Sequence, residues 1–197
     1  MLKKCMFLSI ALTMLLSVFA CVPGPGAQPD EPAAENGEVV FFSNPNFELA
    51  IWDALGKSRG PVYASELKGI TSLSAPEKRI SDLTVLGYCV NLTNLDLSRN
   101  YRISDISPLA NLTKLTGLDL SANRISDVSP LASLTRLTIL DLTRNQISNI
   151  EPLVANSGLA DGDTVNLEDN PLSTESMEVY IPALEERGVT VMLTDPP

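Results

Sequence analysis

A pattern of apolar residues with a period of about 22 residues recurs five times through the middle of this chain. The clearest copy consists of seven positions: Leu115, Leu118, Leu120, Asn123, Ile125, Val128 and Leu131. Further copies begin at Ile70, Leu92 and Leu137, and a worn last copy begins at Val165. A fixed period with fixed apolar positions predicts a solenoid, because each unit buries its apolar face only against its neighbours.

Each copy combines a short strand with a polar turn. Residues 117–121 alternate with period two, so Leu118 and Leu120 should point into the core of a parallel sheet. The asparagine that follows carries a carbonyl and an amide group, which satisfy loop backbone groups that would otherwise be buried without partners. We therefore expect a ladder of inward asparagines: Asn100, Asn123, Asn145 and Asn170. The first copy has Lys78 at this position, which predicts a turn that opens to solvent, and the second has one extra residue, Tyr101.

The return segment of each copy is too short for a full helix. It reads Ile-Ser-Asp-x-Ser-Pro-Leu-Ala in residues 103–110 and 125–132. A serine followed by proline is typical of a helix N-cap with proline at the first helical position, which makes Ser107 and Ser129 the predicted caps. Short 3₁₀ or single α turns are expected here.

The repeat resembles the bacterial leucine-rich repeats of the internalin type, over residues 67–172. The resemblance implies an α/β repeat fold, a solenoid with about five parallel strands on a concave face and short 3₁₀ turns on the convex side. Residues 39–66 are expected to form an N-terminal cap with a helix at 44–55. Residues 173–197 are expected to form a C-terminal cap, in which a helix kinked at Pro182 precedes an edge strand at 189–193.

The N-terminus predicts export. Residues 1–20 have a basic start and an apolar run, as in a signal peptide. The sequence Val-Phe-Ala-Cys at 18–21 resembles a bacterial lipobox, and this resemblance implies that Cys21 becomes the lipid-bearing N-terminus. Ordinary signal peptidase would cut the same bond and leave Cys21 unmodified. Residues 21–38 are rich in Pro, Gly, Ala and acid, which predicts a flexible tether. The expected location is the cell envelope, lipid-anchored and extracytoplasmic, with secretion as the alternative.

Charge and composition exclude several kinds of chemistry. The chain has 14 basic and 24 acidic residues and a net charge of −10, which argues against nucleic-acid binding. It has no histidine, so histidine-based catalysis and histidine metal ligation are excluded. The aspartates recur at the repeat period, which indicates architecture rather than a unique hydrolase site. We therefore predict no enzymatic activity, no cofactor and no metal. Cys89 aligns with Leu112 and Leu134, which predicts a small core residue.

One row of outward residues is the candidate binding surface. It lies between the two strand leucines of successive copies and consists of Ser74, Asp96, Asp119, Asp141 and Asn166. One interpretation is an anionic stripe for a basic partner surface or for a cation such as Ca²⁺. The other is a filler row, solvated or bonded to neighbouring serine and threonine. A second column of arginines (Arg79, Arg102 and Arg124) near Asp82, Asp105 and Asp127 predicts surface ion pairs.

The resemblance implies a membrane-anchored module that binds another macromolecule, a protein in the first instance. The alternative function is a structural spacer without a dedicated ligand. The sequence leaves the oligomeric state open, and we favour a monomer.

Overall fold

The computed structural model describes residues 37–194. The predicted signal peptide, Cys21 and the tether up to residue 36 lie outside the described residues, as do residues 195–197. Among the helices of residues 37–194, none has the length and apolar character needed to cross a membrane.

The N-terminal cap begins with strand β1 (Val39–Val40), which pairs antiparallel with β2 (Val62–Tyr63). Helix α1 (Pro45–Leu55) lies between them, and the short helix α2 (Ala64–Leu67) follows β2. The side chain of Asn44 caps α1 by accepting the N–H groups of Asn46 and Phe47 at 2.8 and 3.2 Å. Gly56 ends the helix with a φ of 67°, a conformation that glycine adopts without steric cost.

The same cap covers the first repeat turn, which corrects the prediction for Lys78. Asn44 Nδ2 donates to the carbonyl of Arg79 at 2.8 Å, and Asn46 Nδ2 donates to that of Lys78 at 3.2 Å. Lys78 is half-buried. The prediction that this turn opens to solvent was wrong, because amides more than 30 residues away in sequence bond the carbonyls there.

The repeats form one parallel sheet of six three-residue strands in sequence order. These strands are β3 (Ser72–Ser74), β4 (Asn94–Asp96), β5 (Gly117–Asp119), β6 (Ile139–Asp141), β7 (Thr164–Asn166) and β8 (Thr190–Met192). The register places equivalent repeat positions beside each other, so that Leu95, Leu118 and Leu140 are direct neighbours. The predicted fold class is confirmed, with five strands from the repeats and the sixth from the C-terminal cap.

The core is a continuous stack of leucine and isoleucine along the repeats. Leu97, Leu120 and Leu142 follow the strands and are completely buried. Cys89 is also completely buried at the position where other repeats have leucine, as predicted. Burial raises the pKa of its thiol to about 12, so the group stays protonated and serves as a small apolar side chain.

The return side consists of single turns. Three are 3₁₀ segments (Thr84–Tyr88, Ser107–Leu109 and Ser129–Ser133) and the fourth is α3 (Glu151–Ala155). The prediction of serine caps was wrong, because Ser107 is the first residue of its turn. Its N–H is itself the donor that needs a partner, and Asp105 Oδ1 accepts it at 2.8 Å.

The C-terminal cap contains a π-helical segment (Ser176–Tyr180) that runs directly into α4 (Ile181–Glu185). Ser173 Oγ accepts the N–H of Ser176 at 3.1 Å. The π turn ends at Tyr180, two residues before Pro182, whose ring lacks a donor and clashes with a regular preceding turn. Gly188, with a φ of 85°, leads from the helix to β8.

Candidate functional site

The outward residues of β3–β7 form a surface that we call the strand face. One row of this face holds Ser74, Asp96, Asp119, Asp141 and Asn166, each directly beside the next in the parallel register. The three aspartates are half-buried and carry like charges at strand spacing, about 4.8 Å. The parallel register therefore brings together the five candidate binding residues that the sequence indicates.

Each member of the aspartate row also supports its own turn. Oδ1 of Asp96, Asp119 and Asp141 accepts the N–H two residues further on, at 2.9–3.0 Å. Asn166 Oδ1 makes the same bond to the N–H of Glu168 at 3.0 Å. Because an amide oxygen performs this role in the fifth repeat, the turn does not require the negative charge.

The second oxygens of the row differ in their surroundings. Asp96 Oδ2 accepts a hydrogen bond from Ser74 Oγ at 3.1 Å. Within residues 37–194, Oδ2 of Asp119 and of Asp141 has no hydrogen-bond partner. These two oxygens are the acceptors that the strand face leaves available to a ligand.

An open groove with a volume of about 370 Å³ lies beside the aspartate row. Gly117 is one of its lining residues, and a Cβ at this position would lie 2.7 Å from Asn94 Oδ1, so a larger residue would require the Asn94 side chain to move. Leu95 and Leu118 line the groove, and Ile139 stands at its rim with 62% of its surface exposed. The groove therefore offers an apolar recess bordered by carboxylates. Sequence reasoning missed it, although a glycine at an outward strand position was a signal.

No metal site accompanies the aspartates. Within the part of the chain that the structure describes, no group of three or more acidic or cysteine residues is arranged to hold a metal ion.

The asparagines after the strands bond the backbone of two repeats at once. Asn145 Nδ2 donates to the carbonyls of Leu120 and Leu142 at 3.0 and 2.9 Å, and its Oδ1 accepts the N–H of Ile125 at 3.0 Å. Asn100 and Asn170 make equivalent bonds in both directions. Asn100, Asn123 and Asn145 are buried, and Asn170 is half-buried.

Asn123 makes only the donor half of this pattern. Its Nδ2 donates to Leu97 and Leu120 at 3.1 and 2.9 Å, but its buried Oδ1 has no hydrogen-bond partner among the described residues. In the other turns, Oδ1 of the asparagine accepts the N–H of an isoleucine from the preceding repeat. That isoleucine lies two residues after the equivalent position of its own repeat, which is Lys78, Asn123 or Asn145. The extra residue Tyr101 shifts Ile103 out of that position.

The arginine and aspartate columns do not form the predicted ion pairs. Within residues 37–194, Arg79, Arg102 and Arg124 make no salt bridge. The aspartates instead cap the return turns: Asp82, Asp105 and Asp127 accept the N–H groups of Thr84, Ser107 and Ser129 at 2.8–2.9 Å. Hydrogen bonds from these serine and threonine residues lower the pKa of all three carboxyls.

Three polar residues outside the repeat pattern were not found from the sequence, and of these Asn156 and Ser176 are buried and Arg187 is half-buried. Asn156 Nδ2 donates to the carbonyls of Leu131 and Leu134 at 2.9 and 3.2 Å. Arg187 donates to the carbonyls of Val154 and Asn156 at 3.1 and 3.2 Å. Ser176 Oγ donates to the carbonyl of Ser148 at 2.8 Å. All three satisfy backbone carbonyls where the last repeat meets its cap, so they are structural.

Comparison with known proteins agrees with this geometry. A family model of leucine-rich repeats in two copies matches residues 113–155. The internalin InlF of Listeria monocytogenes superposes with a TM-score of 0.63 at 25% identity, covering 78% of this chain and 52% of the internalin. A leucine-rich repeat protein of Leptospira interrogans superposes with a TM-score of 0.55 at 23% identity, covering 63% of this chain and 32% of that one. The search of curated proteins finds no match.

Residues 113–155 therefore match leucine-rich repeats, and the described fold is similar to that of a bacterial internalin. The chain spans about half the length of the internalin it matches. Folds of this class typically serve as non-enzymatic scaffolds for protein binding, and no catalytic family is indicated.

Proposed function

We propose that this protein is a lipid-anchored, extracytoplasmic module that binds another protein through its strand face. The partner presents a basic surface. The main support is the groove beside Gly117, where an apolar recess adjoins the unpartnered Oδ2 atoms of Asp119 and Asp141. A lysine or arginine side chain fits both features, because its aliphatic stem packs on apolar surface while its charged end meets a carboxylate.

Rigid spacing strengthens the proposal. The three carboxylates lie in one row on paired strands, so their fields add along a partner that spans several repeats. Binding should be modest and salt-sensitive, because the polar side chains of this face bury little apolar area and exposed charges are screened.

The anchor rests on Cys21. Cys21→Ala should release the protein from the membrane fraction or leave its signal peptide uncleaved, because stable anchoring needs more than one acyl chain. Fractionation and mass spectrometry of the mature N-terminus measure this directly. Wild-type protein found in the soluble fraction with a free Cys21 thiol would establish ordinary secretion instead.

A structural spacer is the second candidate. It is favoured by the composition of the strand face, where serine, aspartate, asparagine and threonine predominate and tryptophan, tyrosine and arginine are missing from the outward positions of β3–β7. A spacer needs no partner at this face.

Site-specific photocrosslinking separates the two functions. A photoreactive residue replaces Ile139 on the strand face of the full-length protein in its own cell envelope. The matched control replaces Val179 on the C-terminal cap, an aliphatic residue of similar exposure (53% against 62%). We expect a discrete crosslinked protein from position 139 only. A binding module is contradicted if position 139 gives no product above that of position 179.

A further inference from the structure

A second charged surface lies on the turns that follow the strands. We call it the turn edge and define it by Arg79, Arg102 and Arg124, together with Tyr101, which directly precedes Arg102 in the turn of the second repeat. All four residues are exposed. Successive repeats place one arginine each along this edge, so the three guanidinium groups form a column that runs across the strands rather than along one of them.

The part of the fold that the structure describes does not use the side chains of these arginines. Within residues 37–194, none of the three makes a hydrogen bond or an ion pair through its side chain. The neighbouring arginines behave differently, because Arg99 pairs with Glu77 and Arg144 with Asp169, both at 3.0 Å. The aspartates expected to neutralise the column are instead bonded to the return turns.

The charge of this region is opposite to that of the chain. The turns at 76–79, 98–102, 121–124, 143–146 and 168–171 contain six of the 14 basic residues: Lys78, Arg79, Arg99, Arg102, Arg124 and Arg144. They contain only three acidic residues: Glu77, Glu168 and Asp169. The turns therefore carry a net charge of about +3 in a chain whose net charge is −10.

Tyr101 gives the column an aromatic anchor at a cost to the fold. It is the extra residue of the second repeat, has a φ of 56° and leaves 57% of its surface exposed. Every repeat turn contains a non-glycine residue with a similar φ, so the cost that is specific to Tyr101 is the insertion, which leaves Asn123 Oδ1 without a partner within residues 37–194. No core contact compensates, since Tyr101 is outside the buried cluster. Tyrosine and arginine are the side chains most enriched at the energetic centres of protein interfaces.

We propose that the turn edge binds an extended acidic segment of a partner polypeptide. Equivalent residues of adjacent repeats lie about 4.8 Å apart, while same-side carboxylates of an extended chain lie about 6.6 Å apart. Long, unpaired arginine side chains span this difference and form charge-assisted hydrogen bonds to carboxylates. Tyr101, next to the middle arginine of the column, packs against the segment there.

The flanks of the column favour a peptide over a dense polyanion. Asp82, Asp105 and Asp127 run parallel to it, and Asp105 is close enough to both of the others for them to act on its titration. A polyphosphate laid on the arginines would meet this acidic column along its whole length. An extended peptide whose carboxylates all lie on one side contacts mainly the arginines. This inference uses none of the strand-face residues, so it does not depend on the proposed function.

Titration of the full-length protein with a defined probe tests the inference. The probe is a fluorescent peptide of alternating glutamate and serine with one central leucine, and its affinity is measured by anisotropy at low and high salt. The test variant is Arg79→Gln/Arg102→Gln/Arg124→Gln. The control, Lys68→Gln/Lys114→Gln/Arg136→Gln, makes the same change in net charge at exposed residues elsewhere.

We expect the test variant to bind about tenfold more weakly than the control variant, a difference of about 1.4 kcal/mol, and Tyr101→Ala to weaken binding by a smaller factor. Equal weakening by both triple variants, or no binding by wild type, would overturn the proposal. Tighter binding of a polyphosphate of equal charge would assign the edge to a different class of ligand. Salt-sensitive self-association of the wild type, lost in the test variant, would assign it to a second copy of the chain.

Discussion

The turns of Asn145 and Asn123 occupy the same position in successive repeats but differ by one hydrogen bond. Asn145 joins four backbone groups, three carbonyls as donor and one N–H as acceptor. Asn123 makes the three donor bonds, but its buried oxygen has no partner among the described residues. The difference arises one repeat earlier, where Tyr101 lengthens the turn. A solenoid therefore transmits an insertion to its next neighbour, because each turn satisfies the backbone of the one before it.

The largest expected effect comes from removing the asparagines themselves. Asn145→Leu should lower the free energy of unfolding by about 3 kcal/mol, because three carbonyls and one N–H lose the hydrogen bond that Asn145 makes to them. Asn123→Leu should lower it by about 2 kcal/mol, because one fewer bond is lost. Urea denaturation of both variants measures the difference. An equal loss at the two sites would mean that Asn123 Oδ1 has a partner such as a bound water.

Deletion of Tyr101 makes the two turns alike. It restores the regular spacing between Asn100 and Ile103, so Asn123 Oδ1 should regain the isoleucine N–H. The free energy of unfolding should then rise by about 1 kcal/mol. Tyr101→Ala keeps the extra residue and serves as the control, with little expected gain. A deletion variant less stable than wild type would show that the longer turn is itself well accommodated.

Acidification tests a cap on the return side that differs between the two regions, since the repeat of Asn123 uses Asp127 and the repeat of Asn145 uses Asn149. The folded-state pKa values of Asp82, Asp105 and Asp127 are lowered, so their contribution to stability is present above the unfolded pKa, about 3.9, and is lost as pH falls through the folded values. These carboxyls are largely exposed, so the effect should be small. The variant with all three changed to Asn should lose less melting temperature between pH 7 and pH 2.5.

Asn149 supplies the natural precedent for this variant. Its Oδ1 caps the N–H of Glu151 at 2.8 Å, so an amide can replace the carboxylate without loss of the bond. A pH dependence identical to that of wild type would place the acid sensitivity in other carboxyls.

Features fixed by the repeat were predictable from the sequence. Strand positions, the inward leucines and the role of Cys89 follow from one period applied to successive copies. The row of outward residues was brought together for the same reason, since parallel strands in register place equivalent positions side by side.

Features that depend on contacts distant in sequence were not predictable. The Lys78 turn is closed by Asn44 and Asn46, and no local pattern links these residues. The groove is lined by residues of four strands, among them Gly117 and Asn94 of the previous strand. The helix caps were misassigned because serine and aspartate both suit that role, and only the geometry of the chain decides which one reaches the free N–H.

The central claim is that the charges of the strand face serve binding rather than folding, and a paired measurement on Asp96→Asn/Asp119→Asn/Asp141→Asn tests it most directly. Melting temperature and crosslinking yield from position 139 are measured on the same protein at low salt. We expect an equal or slightly higher melting temperature, because amides keep the turn bonds while the mutual repulsion of the row is relieved, together with a clear loss of crosslinked partner. An unchanged yield would mean that the aspartate row is filler. A large fall in melting temperature would mean that its charges hold the fold.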